Sequence, residues 1–255
     1  MKHIFIIVFV VFSIITTGCK HNQSDTPVTV ETAPVSLHLH PYIGENEVAL
    51  YNTVYRTIDD RKISLSFAQL YISNIKLVKF DGTLYEIGDT ILLTNIINQV
   101  YKLGNVPVGN YKSIQFDVGL PSVINAQIPS GTGKLNNSDM WFNSTAQANN
   151  YIFMNASGKI DTTAVKNAAD IDLVPFVYKI GTNNHLVHVS MPNQNVSVQP
   201  GTTTYIHMKA DYAELFEGLI LTNENNLSVP TIADNGASLA INIAHNVANM
   251  FKYEN

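Results

Sequence analysis

The chain has 255 residues, a net charge of −5 and a charged fraction of 14%, against roughly 25% in an average soluble chain. It carries no basic patch, so nucleic-acid binding lacks the phosphate-neutralising charge that drives it. The single cysteine allows no intramolecular disulfide, and stability must come from a hydrophobic core.

Lys2 gives a short positive start. An apolar run from Ile4 to Ile15, broken by Ser13, leads to Thr16-Thr17-Gly18-Cys19. A charged start, a short apolar stretch and small residues before a cleavage point make a secretory signal. The run is shorter than the roughly 20 residues of a spanning helix, so no transmembrane helix is expected. Thr17-Gly18 before Cys19 resembles the lipobox of bacterial lipoproteins, with Thr16 where that family usually has an aliphatic residue. The resemblance implies that Cys19 carries a lipid, becomes the mature N-terminus and anchors the protein in the periplasm or on the outer surface. A lipidated Cys19 leaves no thiolate ligand and no cysteine nucleophile. Residues 20–34, polar and with Pro27 and Pro34, read as a flexible tether, and residues 35–255 as one domain.

The predicted elements of that domain are mostly strands. Ser36-Leu37-His38-Leu39-His40 alternates strictly, with Leu37 and Leu39 on one face and the two histidines on the other. Ile63 to Phe67 alternates likewise. Ile75 to Phe80, Asp81-Gly82 and Thr83 to Ile87 read as a hairpin, since Asp-Gly suits a two-residue type I′ turn. Further strands are expected at Lys112–Leu120, Tyr151–Met154, Phe176–Ile180, Leu186–Met191, Val196–Val198 and Thr203–Ala210. Short helical pieces are expected at Asp161–Ala169 and Asp211–Phe216, and a C-terminal helix over Ala237–Phe251, where Leu239, Ile243, Val247 and Met250 approach helical spacing. Residues 130–150 form a long polar stretch, longer than ordinary ordered loops. The whole predicts an all-β fold: an antiparallel β-sandwich of one domain with a short C-terminal helix.

Few motifs carry chemistry. Gly131-Thr132-Gly133-Lys134 lacks the spacing and setting of a phosphate loop. Within residues 35–255 five Asn-x-Ser/Thr triplets match the glycan acceptor pattern, in a chain rich in Asn. No serine elbow is present and the carboxylates are scattered, so neither a triad nor a converging acid pair can be nominated, and no enzyme activity is expected. The histidines are more informative. His38 and His40 are two apart on one strand, so both imidazoles project to the same side and can serve one metal. Neutral imidazole suits copper, which heads the divalent affinity order. His188 and His207 lie on later strands that a sandwich could bring to the same end or face. The ligand set taken forward is His38, His40 and His188. Surface histidines on strands are also ordinary, and Trp141, the one tryptophan, beside Phe142 is more often a core plug, although a Trp at the mouth of a sandwich is also a typical ligand contact. A cell-surface binding module for glycan or protein is the alternative reading, motivated by the Asn/Thr/Ser-rich surface.

Several segments together resemble the MbnP-like family of exported, methanobactin-associated copper-binding proteins. They are Tyr71-Ile72-Ser73-Asn74-Ile75-Lys76-Leu77, Val106-Pro107-Val108-Gly109-Asn110-Tyr111, Phe116-Asp117-Val118-Gly119-Leu120, Met140-Trp141-Phe142 with Tyr151-Ile152-Phe153, Tyr178-Lys179-Ile180-Gly181, and Asn246 with Met250-Phe251. The resemblance implies a β-sandwich, copper bound through histidines, and a partner di-haem peroxidase that oxidises a family tryptophan to kynurenine, a modified side chain that then helps bind the copper. On this chain Trp141 would be the modified residue and His40 the family's first-strand histidine. Lys179 stands where the family has a histidine, and an ammonium is a poor ligand at neutral pH.

Overall fold

The computed structural model describes residues 30–88, 90–129 and 133–254. The signal, the lipidation residue Cys19, the tether up to residue 29, and Gly131-Thr132 lie outside the described residues. In chain order the strands are β1 (Thr32–Ile43), β2 (Asn46–Glu47), β3 (Tyr55–Arg56), β4 (Lys62–Lys79), β5 (Leu84–Glu86), β6 (Leu92–Asn95), β7 (Val100–Pro107) and β8 (Gly109–Val118). They continue as β9 (Ile152–Ile160), β10 (Val174–Gly181), β11 (Val187–Ser190), β12 (Val196–Val198), β13 (Thr204–Asp211), β14 (Ser228–Val229) and β15 (Phe251–Tyr253). The α-helices among the described residues are α1 (Ser122–Asn125) and α2 (Ser238–Val247), and short 3-10 turns include Tyr212–Phe216.

The described strands form two sheets. The smaller runs β15-β13-β1-β2, with β7 also on β1; the larger runs β11-β8-β4-β9-β10-β14, with β12 on β8 and β3, β5 and β6 on β4. The all-β sandwich expectation holds. Its sheets are mixed, because β1–β13 and β10–β14 are parallel while the other pairs are antiparallel. Period-two alternation decides which face of each strand is buried. On β1, Val35, Leu37 and Leu39 are inside; on β13, Ile206, Met208 and Ala210 are inside. They share one core with Leu70, Phe116, Met154 and Tyr178 of the larger sheet and with the buried stripe Leu239, Ala240, Ile243 and Val247 of α2.

Several local expectations change. β1 begins at Thr32 and pairs with β7 through Pro34, so residues 32–34 are strand and not tether. The two strands expected at 63–67 and 75–80 are one long β4, whose register shifts beside Asn74 at φ 50°, a left-handed conformation Asn tolerates. The Asp81-Gly82 hairpin is real, but its turn is not type I′. Gly82 N–H bonds Lys79 O at 3.0 Å and Lys79 N–H bonds Thr83 O at 2.8 Å. Of the turn residues only Gly82 has positive φ, as in a type I turn closed by a glycine bulge. Asp161–Ala169 is not helical. The buried Asp161 carboxylate takes Thr163 N–H and Oγ1–H at 2.8 and 2.7 Å and Ala168 N–H at 3.0 Å, a side-chain turn that competes with the helix. β6 and β7 are strands beyond those expected, and the local signal of β7 is weakened by Gly104 and Asn105 within Val100–Pro107.

Asp211 closes β13, and its Oδ1 accepts Gly44 N–H at 3.0 Å and Ala213 N–H at 2.9 Å. Burial, first, pushes its carboxyl above the usual range, against these hydrogen bonds, which lower it. The folded chain therefore holds this proton to higher pH than the unfolded one, and stability falls as pH rises through that window. Asp211→Asn, which keeps the acceptor and removes the charge, is expected to match or exceed wild-type stability at pH 7 in urea unfolding. Asp211→Ala leaves two donors unpaired and should cost about 2 kcal/mol or more.

Candidate metal centre

The parallel register of β1 and β13 builds the site. It sets His38 opposite His207, His40 opposite Lys209, and Ser36 opposite Tyr205. Opposed residues on neighbouring strands share a face, so the polar face of β1 and the polar face of β13 combine outside the smaller sheet. The ring centroids of His38 and His40 are 4.1 Å apart, and those of His38 and His207 4.9 Å. One nitrogen from each of His38, His40 and His207 lies within 4.8 Å of the others. No other such group of three potential ligands occurs among the described residues.

Two glutamates flank the trio. Glu47 on β2 sits 3.1 Å from His40 Nδ1 and accepts a 2.6 Å hydrogen bond from Gln99 Nε2. Burial alone would raise the Glu47 carboxyl, but the hydrogen bonds from His40 and Gln99 outweigh it and hold the group below its ordinary value. Glu254, next to β15, places Oε2 3.4 Å from His40 Nε2 and 3.9 Å from His207 Nδ1. The His40 side chain is only 14% exposed, and its Nε2 is buried with no hydrogen-bond partner.

The His38 imidazole is pushed below 6.5, first by burial and then by neighbouring His40 and His207, with Glu254 and Gln99 acting the other way. It therefore stays neutral, with a lone pair to donate, where a free imidazole would begin to protonate. His207 is half exposed. A cleft of about 520 Å³ lined by Tyr205, His207, Tyr253 and Glu254, among others, opens the site to solvent.

Among the expected ligands, His38 and His40 stand together as their spacing indicated, but His188 does not join them. It lies on β11 in the larger sheet, opposite Asp117, with Nδ1 2.8 Å from Asp117 Oδ1. His207 takes the third position. Its alternation within Tyr205-His207-Lys209 was readable; the neighbour of β13 was not. Lys179 is on β10, also in the larger sheet.

Trp141 stands apart from the trio. It is half buried against Met140, Phe142, Tyr151 and Phe153, bridges to Tyr151, and donates its indole N–H to Leu135 O at 3.1 Å. No ring contact joins it to a histidine among the described residues. The polar stretch around it is pinned to the larger sheet by Asn155 Nδ2 to Asp139 O at 2.8 Å and by Tyr71 O–H to Lys134 O at 3.0 Å, so the core-plug reading of Met140-Trp141-Phe142 fits.

Three imidazoles with carboxylates beside them form a group that could hold a metal ion. His40 Nδ1 faces Glu47 Oε1 at 3.1 Å, a contact of the kind by which a carboxylate orients a metal-ligating histidine. No curated protein sequence matches the chain. Among solved structures it resembles MbnP from Methylosinus trichosporium, with a TM-score of 0.51 at 17% identity, over 74% of this chain and 78% of that one, a likeness of fold. The sequence model of the MbnP family matches residues 32–252, nearly the whole described domain, and the chain belongs to the MbnP family.

Proposed function

We propose that this protein is an exported, lipid-anchored copper-binding protein in which His38, His40 and His207 hold the metal as neutral imidazoles. The observation that carries the reading is the buried Nε2 of His40, which makes no hydrogen bond and is held beside the other two histidines. A buried polar atom without a partner carries a desolvation cost, and a bound metal removes it. Imidazole donors without thiolate suit Cu, Zn and Ni, and copper heads that series. MbnP family membership favours copper among these. The bound metal would supply redox or storage chemistry; the chain supplies the donors, their orientation through Glu47, and the open cleft at His207.

Trp141, as the sole tryptophan, is the residue on which a di-haem peroxidase partner of the family's kind would act. Its place in the second hydrophobic cluster supports a redox substrate outside the ligand set, and in this reading the protein is a binder and not a catalyst. Copper bound to the purified protein should be stoichiometric by elemental analysis whether or not the peroxidase is present. The mass of the peptide containing Trp141 should rise only when it is. Copper that binds solely after Trp141 is oxidised would place that side chain among the ligands and overturn this assignment.

A further inference from the structure

We propose that Ser190, His188 and Asp117 form a second functional site, a serine nucleophile that cleaves esters with a short apolar acyl group. The site lies on the larger sheet, and not on the smaller sheet that carries His38, His40 and His207. It is an activity apart from copper binding and does not rest on the metal reading.

The array follows from the pairing of β8 and β11. Met191 N–H reaches Ile114 O at 3.1 Å. Along this antiparallel ladder the pairs His188–Asp117 and Ser190–Gln115 are therefore the open ones, in which side chains stand closest. His188 Nδ1 is 2.8 Å from Asp117 Oδ1. A carboxylate only accepts, so the ring proton lies on Nδ1 and the Nε2 of the neutral ring keeps its lone pair. Ser190 Oγ is 3.3 Å from that Nε2. Hydroxyl, imidazole and carboxylate are joined in the order in which a base activates a nucleophile and a carboxylate orients the base.

Their surroundings suit these roles. Asp117 is buried, and its other oxygen accepts Asn74 Nδ2 at 2.6 Å. Asn74 is the left-handed residue at the register shift of β4, and such bulges re-aim side chains. His188 and Ser190 are exposed, within reach of a substrate. β11 ends the sheet, and Ser190 N–H, in an open pair, faces away from β8. It offers the nucleophile's own backbone donor to an oxyanion. His188 also lines a cleft of about 810 Å³ beside α2, with Leu186, Val187, Ile241 and Ala244 in its wall, a lining that suits an apolar acyl chain.

In the reaction Ser190 Oγ adds to the ester carbonyl as its proton passes to His188 Nε2. The alcohol departs with that proton and leaves an acyl-serine. Water then adds, giving a proton to Nε2, and the carboxylic acid leaves with free Ser190 restored. Nothing in His188-Val189-Ser190 marks a nucleophile in the sequence. Asp117 stands 71 residues away and joins through the sheet alone, and Ser190 sits within a strand and not at a strand-to-helix elbow.

The test uses the purified protein in EDTA, so that no bound metal contributes, with p-nitrophenyl butyrate as substrate and a fluorophosphonate as covalent probe. Ester hydrolysis and a mass increase on the peptide containing Ser190 are expected. Ser190→Ala should remove the label and lower kcat by at least about 100-fold, the scale of acid–base assistance. His188→Ala should lower kcat as far. Both positions are exposed, so neither change touches the core. Asp117 positions the base, so Asp117→Asn should alter the shape of the pH–rate profile as well as kcat, which a mere loss of folded protein does not do. Hydrolysis that persists in Ser190→Ala is the catalysis any exposed imidazole gives, and it overturns the proposal. So does a wild-type protein that hydrolyses no ester in EDTA or leaves Ser190 unlabelled.

Discussion

Replacing His38 and His40 together by alanine is expected to abolish copper binding while leaving the fold intact. The two side chains supply adjacent donors from one strand face, their ring centroids 4.1 Å apart, and only His207 would remain of the trio. A single outer-shell partner is commonly worth about 10–100-fold in metal affinity. Loss of two direct ligands should therefore exceed about 100-fold in a chelator competition. The fold should survive because both imidazoles lie on the outer face of β1. Leu37 and Leu39, which face the core, are untouched, and the loss of the mostly buried His40 and its contact with Glu47 should cost about 1–2 kcal/mol. His188→Ala is the informative control. Its imidazole pairs with Asp117 in the other sheet, so copper affinity should not change. Full affinity in the double alanine variant removes the trio as the site. A loss in His188→Ala equal to that of the double variant would shift the centre to the larger sheet.

The difference between His188 and His207 shows what a single sequence conveys about such a site. Strict alternation in Leu37-His38-Leu39-His40 reports that two histidines share a face, because side-chain direction along a strand is a local property. The same holds for His207 between Ile206 and Met208. Which strands adjoin is not local. β1 and β13 pair in parallel, an arrangement that needs a long crossover and leaves no turn in the sequence to announce it. An antiparallel sandwich was the natural expectation from the short turns, and under it either later histidine could have joined the first two. Glu254 is a stronger case: its partnership with His40 depends on β15 reaching the far edge of β13 after the chain has passed through α2. Elements with strong local signals were legible in outline, including α2 and the Asp81-Gly82 hairpin. Asp161–Ala169 misled because its alanines favour a helix, while one buried carboxylate, invisible as such in sequence, captures the backbone donors.

Gly158→Ala is expected to be the most destabilising of the single substitutions considered, although it adds one methyl group and changes no polar contact. Gly158 lies on β9 opposite Leu65 of β4, beside a register shift between Leu65 and Phe67. That bulge brings the β4 backbone over Gly158, and a Cβ there would stand 1.9 Å from Ser64 O and 3.0 Å from Leu65 Cα. The obstacle is backbone, so no side-chain rotation relieves it; β4 and β9 must separate. These strands lie in the middle of the larger sheet, and Ile63, Leu65, Ala156 and Ile160 around them are fully buried. Overpacking of an ordinary core site costs about 1–3 kcal/mol, and a contact against a paired backbone belongs at or above the upper end of that range. In a domain of this size 1 kcal/mol moves the melting temperature by about 2–4 °C, so a fall of about 10 °C is expected. Gly236→Ala serves as the reference, since a Cβ there meets nothing within 4 Å, and should melt close to wild type. A Gly158→Ala protein that melts with the wild type would mean that β4 and β9 are not paired in this register. Because the site histidines lie on the other sheet, any folded fraction of Gly158→Ala should bind copper with wild-type affinity, separating loss of fold from loss of site.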